Sequence, residues 1–119
     1  MTTNRSMGPR ALMTPAALHI LMALAEGERH GYAVKQEIEE RTGGELVLGP
    51  GTLYEAIHRM LRDGWVEEAT VLGQGPDGRR KYYRITLSGR REMEAELQRL
   101  ERLVQDARSR RLIPNAREA

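Results

Sequence analysis

Apolar residues recur at helical spacing in four stretches of the chain, and this pattern predicts four helices. The first helix begins at Thr14-Pro15, because threonine can cap free backbone N–H groups and proline fits the first helical position. It ends near Glu26-Gly27. Its wide apolar surface indicates that most of this helix is buried. The residues of that surface are Leu18, Ile20, Leu21, Met22, Leu24 and Ala25.

The second helix opens at His30-Gly31-Tyr32 and runs to about Arg41. The glycines that follow at residues 43–44 end it, because glycine readily adopts the left-handed conformation that closes a helix. Val34 and Ile38 are expected to pack inward, and Tyr32 is a further candidate for that face. The acids of this helix are expected in solvent, and they are Glu37, Glu39 and Glu40.

The third helix starts at Pro50, after a short extended link, and ends at Asp63-Gly64. Its apolar residues follow one another at spacings of 3, 1, 3 and 1, which matches the 3.6-residue helical period. They are Leu53, Ala56, Ile57, Met60 and Leu61. The opposite face is polar and contains Tyr54, Glu55, His58, Arg59 and Arg62.

Two strand-like segments, residues 66–72 and 79–85, follow the third helix. Residues 73–78 between them contain three glycines and a proline and therefore predict a loop. Strand alternation places Tyr83 and Ile85 on one face. Together these segments predict a β-hairpin with a long tip. Trp65, just before the hairpin, is expected to be a core or domain-junction residue.

The last helix is capped by Thr86 or Ser88 and runs to about Arg111. Its apolar residues repeat at spacings of 4, 3, 4 and 3, which is typical of a coiled-coil seam, with Leu103 at its edge. The seam packs either on the chain's own first helix or on a second copy. Because the first helix is short and its apolar face is needed for the core, a two-fold homodimer is favoured. The predicted interface residues are Met93, Leu97, Leu100, Val104 and Ala107.

The order of these elements predicts a mainly α fold with a small β-hairpin, namely a winged helix-turn-helix with a long C-terminal dimerisation helix. Residues 1–13 are expected to form an N-terminal arm that is either flexible or docked on a partner subunit. Residues 14–87 form the predicted DNA-binding domain, residues 88–112 the dimerisation helix and residues 113–119 a tail.

Composition excludes several classes of function. The 119 residues contain no cysteine, so disulfides and thiolate metal sites are excluded. The three histidines fall on different helices, and no serine lies in a nucleophile or phosphate-cradling motif. We therefore expect no metal, no cofactor and no enzymatic activity. The chain has no apolar run that could span a bilayer and no secretory signal, so we expect no membrane partner and a cytoplasmic location.

Positive charge is concentrated at the hairpin and at the C-terminal end, although the net charge is only +2. Residues 15–49 carry six acids against three bases, whereas residues 66–89 carry four bases against three acids. Local clusters of bases matter more than the total charge for binding phosphates. The consecutive bases are predicted to form a wing along a DNA backbone, against the alternative of a solvated patch. They are Arg79, Arg80 and Lys81.

The third helix is predicted to read DNA. An ordinary amphipathic helix is the simpler interpretation, but the preceding helix, the short link and the following hairpin form the arrangement that places a helix in the major groove. Free N–H groups in its first turn can also hold a phosphate. Glu55 either accepts from a cytosine amine or pairs with Arg59 one turn on. The predicted DNA-binding residues are Gly51, Thr52, Tyr54, His58, Arg59 and Arg62.

Over about residues 14 to 108, the chain resembles the PadR family of bacterial transcriptional regulators. The Gly-Thr-Leu-Tyr box at residues 51–54 and the Arg-Lys-Tyr-Tyr wing at residues 80–83 are specific as a pair, although either alone is weak. The other matching segments are residues 18–21, 25–27, 30–32, 63–67 and 78–86.

The resemblance implies a dimeric winged-helix repressor that binds a pseudo-palindromic operator and dimerises through its C-terminal helix. It also implies that Tyr54 and its helical neighbours face the major groove, while residues 79–81 form the wing. The chain resembles the short branch of the family, with one C-terminal helix. Some short members resemble multidrug sensors with a tryptophan of that helix in a pore between subunits. That site is not carried over, since this chain has no tryptophan after Trp65.

The sequence therefore predicts a sequence-specific transcriptional regulator that binds double-stranded DNA as a homodimer. A small hydrophobic effector is a further possible partner, in a groove between subunits lined by the first and last helices. The alternative is a winged-helix adaptor that binds another protein through its acidic second helix, without sequence-specific DNA binding.

Overall fold

The computed structural model of the chain describes residues 13–69 and 81–115. Nearly all of the predicted N-terminal arm, the hairpin tip with Arg79 and Arg80, and the end of the tail lie outside these described residues. The described part is mainly helical with a small antiparallel sheet, which confirms the predicted fold class. Its elements, in chain order, are α1 (Pro15–Ala25), β1 (Arg29–His30), α2 (Gly31–Arg41), α3 (Pro50–Asp63), β2 (Val66–Ala69), β3 (Tyr82–Ile85) and α4 (Leu87–Ser109).

Capping side chains and glycines determine where the helices begin and end. Thr14 accepts a hydrogen bond from the Ala17 amide at 3.1 Å and so begins α1 as predicted. At the start of α2, the Nδ1 atom of His30 accepts from the Ala33 amide at 3.1 Å. Gly64 closes α3 with a φ of 79°, a left-handed conformation that glycine adopts without steric cost.

The sheet has the order β1-β3-β2, with β3 in the centre and both neighbours antiparallel to it. The predicted hairpin is the β2–β3 pair, in which Val66 lies opposite Ile85. The expectation of only two strands was incomplete, because Arg29 and His30 pair with the other edge of β3. A strand of two residues is too short to produce the alternation from which strands are predicted.

The core lies among α1, α2 and α3, and the sheet and the first turns of α4 close it. The predicted inner faces of α1 and α3 pack in the core, as do Val34 and Ile38 of α2. Their fully buried side chains include Ile20, Leu21, Val34, Ile38 and Ile57, each with 0% exposure.

Tyr32 does not belong to the inner face of α2, so the expectation that it packs inward was wrong. Its side chain is 55% exposed, whereas Val34 and Ile38 are completely buried. Each helical residue advances about 100°, so Tyr32 is roughly 200° from Val34 around the axis. The helical geometry therefore turns Tyr32 towards solvent.

A compact joint connects the end of α3 to the start of α4. Thr86, which caps α4 as one of the two predicted alternatives, donates its hydroxyl to the Gly64 carbonyl at 2.6 Å and its amide to the Trp65 carbonyl at 3.0 Å. Gly89 lies against the same corner, and a Cβ atom there would be only 2.9 Å from the Trp65 carbonyl carbon. Trp65 packs against the core, as expected for a junction residue. The joint fixes the direction in which α4 leaves the domain.

Candidate nucleic-acid interface

The helix α3 presents one apolar and one polar face, and the fold buries the apolar one. Leu53, Ile57 and Met60 are at most 2% exposed. On the opposite face Glu55, His58, Arg59 and Arg62 are exposed. No described residue forms a hydrogen bond or an ion pair with the side chains of these four residues, so the suggested pairing of Glu55 with Arg59 is absent. The polar face of α3 therefore offers unpaired donors to a ligand.

The first turn of α3 is open. Gly49 precedes the helix and supplies no side-chain cap, and Pro50 occupies the first position. A Cβ atom placed at Gly51 would have no neighbour within 4 Å. Because the first backbone N–H groups of a helix have no partner inside it, the turn that holds Gly51 and Thr52 carries a partial positive charge. The arrangement suits a phosphate or another anion.

Tyr54 is turned towards α2 rather than standing clear of the protein. Its side chain is 39% exposed. A Cβ atom built on Gly31 would lie 2.7 and 2.8 Å from two ring carbons of Tyr54, so a side chain at position 31 would displace this ring. The two segments that meet here, His30-Gly31-Tyr32 and Gly-Thr-Leu-Tyr at residues 51–54, both belong to the family resemblance. The sequence alone does not show that they contact each other.

A cavity of about 430 Å³ lies where α2, α3 and the sheet meet. Its lining residues are His30, Gly31, Tyr32, Tyr54, Lys81 and Tyr83. Tyr83 is only 3% exposed. Burial raises the pKa of its phenol above the usual value, and the neighbouring Tyr54 and Glu68 raise it further. The phenol of Tyr83 is therefore a neutral hydrogen-bond donor over the whole physiological range.

Of the predicted wing residues, Lys81 is described, and it is exposed beside Glu68, with 3.6 Å between its Nζ atom and the carboxylate. Arg84, also on the hairpin, is occupied within the protein. Its guanidinium donates to Glu67 at 2.7 Å and to Glu28 at 3.2 Å, and these two hydrogen bonds raise its pKa. Lys81 is thus held less closely than Arg84, since an exposed pair at 3.6 Å is weak.

The predicted seam on α4 is divided between the core and the surface. Met93 is 7% exposed and belongs to the chain's own core, and Leu100 packs against that core. Leu97, between these two residues, is 36% exposed. Farther along, Val104 is 39% exposed and Leu103 is 57% exposed. Ala107 is half-buried. The chain therefore covers the seam at Met93 and Leu100 and leaves Leu97 and Val104 partly exposed.

Within the described ranges, no three His, Cys, Asp or Glu residues are grouped so that they could hold a metal ion. None of the helices in this part of the chain is long and apolar enough to cross a membrane.

The sequence matches the family model described as the transcriptional regulator PadR-like family over residues 20–95. A transcriptional regulator of Mycobacterium tuberculosis is 40% identical over 91 residues, which cover 75% of this chain and 78% of that protein. An uncharacterised protein of Lysinibacillus sphaericus is 39% identical over 71 residues, or 60% of this chain. The match spans 64% of that relative's length, which is less than two thirds.

Solved structures share the fold. A PadR family transcription regulator from Clostridium difficile superposes with a TM-score of 0.71 at 26% identity, covering 81% of this chain and 97% of the other. Bacillus subtilis PadR in complex with operator DNA gives a TM-score of 0.61 at 23% identity, covering 71% of this chain and 48% of the other. At that identity the second likeness demonstrates the fold alone.

Proposed function

The chain belongs to the PadR-like family of transcriptional regulators, and from this membership we propose that it is a sequence-specific repressor that binds a pseudo-palindromic operator as a homodimer. Residues 14–87 form its DNA-binding domain, residues 88–112 its dimerisation helix, and the protein acts in the cytoplasm. The family is one of regulators rather than enzymes, which agrees with the absence of catalytic motifs in the sequence.

The observation that carries this proposal is the polar face of α3. His58, Arg59 and Arg62 are exposed and unpaired within the described residues, on a helix whose other face is anchored in the core. Arginine donates in pairs to guanine edges in the major groove, and histidine can donate to bases or phosphates. In the proposed complex, these three side chains read bases or adjacent phosphates while the first turn, at Gly51 and Thr52, holds the backbone.

The wing supplies affinity in this proposal. Lys81 is exposed beside Arg79 and Arg80 in the sequence, so three consecutive bases can follow a phosphate backbone. Each phosphate neutralised adds about one unit to the slope of affinity against salt concentration. Bacillus subtilis PadR, which has the same fold, was solved with operator DNA, so this fold is one that can bind DNA.

The exposed apolar residues of α4 support the homodimer. Leu97, Leu103 and Val104 lie on one charged helix with large apolar surfaces uncovered, and a second copy of the helix buries such a stripe. A two-fold dimer also presents two copies of α3 to half-sites about one helical turn apart, or a multiple of it. We place a small hydrophobic effector, which would release the repressor, in the groove between the subunits.

Selection of bound duplexes from a random pool tests sequence reading, half-site symmetry and spacing in one experiment. Gel shifts at two salt concentrations then compare Arg59→Ala and Arg80→Ala with Arg102→Ala, a control that removes an exposed base from α4. We expect Arg59→Ala to lose roughly tenfold to hundredfold in affinity and to relax the preference at one base pair. Arg80→Ala should weaken all duplexes alike and lower the salt slope by about one. Equal affinity of the wild-type protein for every fragment would remove the proposal.

The adaptor alternative depends on an acidic docking face on α2, and part of that face is already neutralised. Glu37 pairs with Arg41 at 3.0 Å, and Glu39 pairs with Lys35. Only Glu40 of the three acids is fully exposed. Co-purification of a stoichiometric protein partner, together with no retention on heparin, would favour the adaptor over the repressor.

A further inference from the structure

A buried tyrosine, Tyr83, lies beside the proposed interface. Tyr83 is 3% exposed, yet no residue in the ranges 13–69 and 81–115 forms a hydrogen bond with its phenol. A buried hydroxyl that lacks a hydrogen bond costs free energy, so natural proteins rarely leave one without a ligand or a bound water. Tyr83 lines the cavity of about 430 Å³ between α2, α3 and the sheet. The unsatisfied donor thus faces a space large enough for a ligand group.

The other groups around this cavity are also donors or positive. Lys81 brings an ammonium, and Tyr54 brings a second phenol that has no hydrogen bond within the described residues. Gly31 and Tyr32 are the first residues of α2, where the helix dipole places a partial positive charge. No acidic residue belongs to the lining among the described residues, although Glu68 lies 3.6 Å from the Lys81 ammonium. The chemistry of the lining therefore favours a compact oxyanion.

The position of the cavity indicates that this oxyanion is a phosphate of the DNA backbone. Tyr54 lies on α3 one turn before His58, so the cavity continues directly from the face proposed to read bases. Lys81 is the residue next to the wing arginines, so the cavity also borders the segment proposed to follow the backbone. A duplex that contacts both α3 and Lys81 would bring its sugar–phosphate chain close to the cavity that Tyr54 and Lys81 line.

We propose that this cavity is a phosphate-binding site in which the phenols of Tyr83 and Tyr54 and the ammonium of Lys81 hold one backbone phosphate of the bound duplex. Tyr54 is then an anchor for the backbone rather than a reader of base edges. Gly31 is a positioning residue, because a side chain at this point would displace the Tyr54 ring. The inference rests on the proposed function, since the phosphate belongs to DNA.

Tyr83→Phe is the decisive variant, because it removes a single oxygen atom from the floor of the cavity. Its binding is measured with the wild-type-selected operator, with a scrambled duplex, and with operators in which one phosphate at a time is replaced by an uncharged methylphosphonate. Tyr82→Phe is the matched control: it removes the same atom from the neighbouring residue of β3, which does not line the cavity. Lys81→Gln is the second variant.

We expect Tyr83→Phe to lose roughly tenfold in affinity for operator and scrambled duplex alike, as for a lost hydrogen bond to a charged group. One methylphosphonate position should weaken the wild-type protein but have little further effect on Tyr83→Phe or Lys81→Gln. Thermal unfolding supplies an independent readout. Because the phenol of Tyr83 has no hydrogen-bond partner among the described residues, Tyr83→Phe should leave the melting temperature unchanged or raise it. The control Tyr82→Phe should leave DNA affinity unchanged.

Three outcomes would overturn the phosphate site. The first is wild-type affinity in Tyr83→Phe, and the second is a loss that adds fully to that of every methylphosphonate. The third is competition by free inorganic phosphate at micromolar concentration that depends on Tyr83, which would assign the cavity to a free anion instead of the backbone. Failure of the proposed function is separate, because then the wild-type protein would select no sequence from the pool at all.

Discussion

The helices α3 and α4 have similar apolar stripes, but the stripe of α3 is buried in the core whereas much of the stripe of α4 is exposed. On the stripe of α3, Leu53, Ile57 and Met60 are at most 2% exposed. On α4 only Met93 reaches comparable burial, while Leu97 and Val104 remain more than a third exposed. The difference shows that a periodic stripe predicts a buried face but does not say which chain buries it.

The contrast also distinguishes stability that a single chain provides from stability that depends on association. The stripe of α3 is covered by α1, α2 and the sheet, so its contribution should not depend on protein concentration. The α4 stripe remains partly exposed at Leu97 and Val104, so in the proposed dimer part of its contribution comes from association. Substitutions on the two helices should therefore respond differently to dilution.

The largest effect is expected from Ile57→Ala on α3. Ile57 is completely buried, so the substitution removes apolar contact and leaves a cavity. The expected loss of unfolding free energy is about 2 to 5 kcal/mol. Urea unfolding at two protein concentrations tests it, and the loss should be the same at both. A loss that shrinks as the protein is concentrated would mean that α3 depends on a partner subunit.

Gly89→Ala, at the joint of the two helices, comes next. The new Cβ atom would lie 2.9 Å from the Trp65 carbonyl carbon and 3.0 Å from the Cγ1 atom of Ile85. Backbone at that distance must shift, so we expect a loss of about 3 kcal/mol, at the upper end for overpacking. Gly51→Ala is the control, because its Cβ atom meets nothing within 4 Å. Equal melting temperatures for the two variants would contradict a tight joint.

The double variant Leu97→Ala, Val104→Ala tests whether the exposed residues of α4 stabilise a dimer. Both side chains are already partly exposed, so the fold of the protomer should change little. Dimerisation should weaken by about 2 kcal/mol, or roughly thirtyfold in Kd, because these side chains are buried only on association. Sedimentation equilibrium measures the change. A variant that self-associates as tightly as the wild-type protein would place the interface elsewhere.

The smallest expected effect is the pH dependence that His19 gives to the unfolding free energy. His19 lies on α1, the helix that helps to cover α3. Its Nδ1 atom lies 2.9 Å from an Arg41 guanidinium nitrogen. Burial lowers the pKa of His19 below 6.5, Arg41 lowers it further, and Glu37 opposes them. The unfolded chain thus binds this proton more readily than the folded one. Unfolding free energy should decrease as pH falls from 6.5 through the lower folded pKa.

Urea unfolding of the wild-type protein and His19→Gln across this pH window provides the measurement. The variant keeps a polar side chain but does not titrate, so its pH dependence should be shallower. Identical slopes for the two proteins would exclude His19 as the source.

The helices were predictable because local signals agree with tertiary packing. At α3, Pro50 marks the start, the apolar spacing marks the inner face, and Gly64 marks the end, all within one short segment. The same agreement gave α1 from Thr14 and Pro15. By contrast, β1 is only two residues long, and its pairing with Tyr82 and Tyr83 joins segments that are far apart in sequence.

The candidate site was predictable in its outline but not in its contacts. The polar face of α3 followed directly from helical geometry. The packing of Tyr54 on Gly31 did not, because it depends on how α2 and α3 cross. Tyr83 was placed correctly on a strand face shared with Ile85, yet the lack of a hydrogen-bond partner for its phenol emerges only from the folded arrangement. Sequence gives the face of an element, whereas its neighbours are set by the whole fold.

The joint at Thr86 has a mechanical consequence. The helix α4 has 23 residues and at 1.5 Å per residue extends about 35 Å from this anchor. It therefore acts as a lever: a tilt of about 10° at the Trp65 corner displaces its far tip by roughly 6 Å. In a two-fold dimer each subunit would carry such a helix. A small shift near Gly89 would then produce a large change in the distance between the two α3 helices.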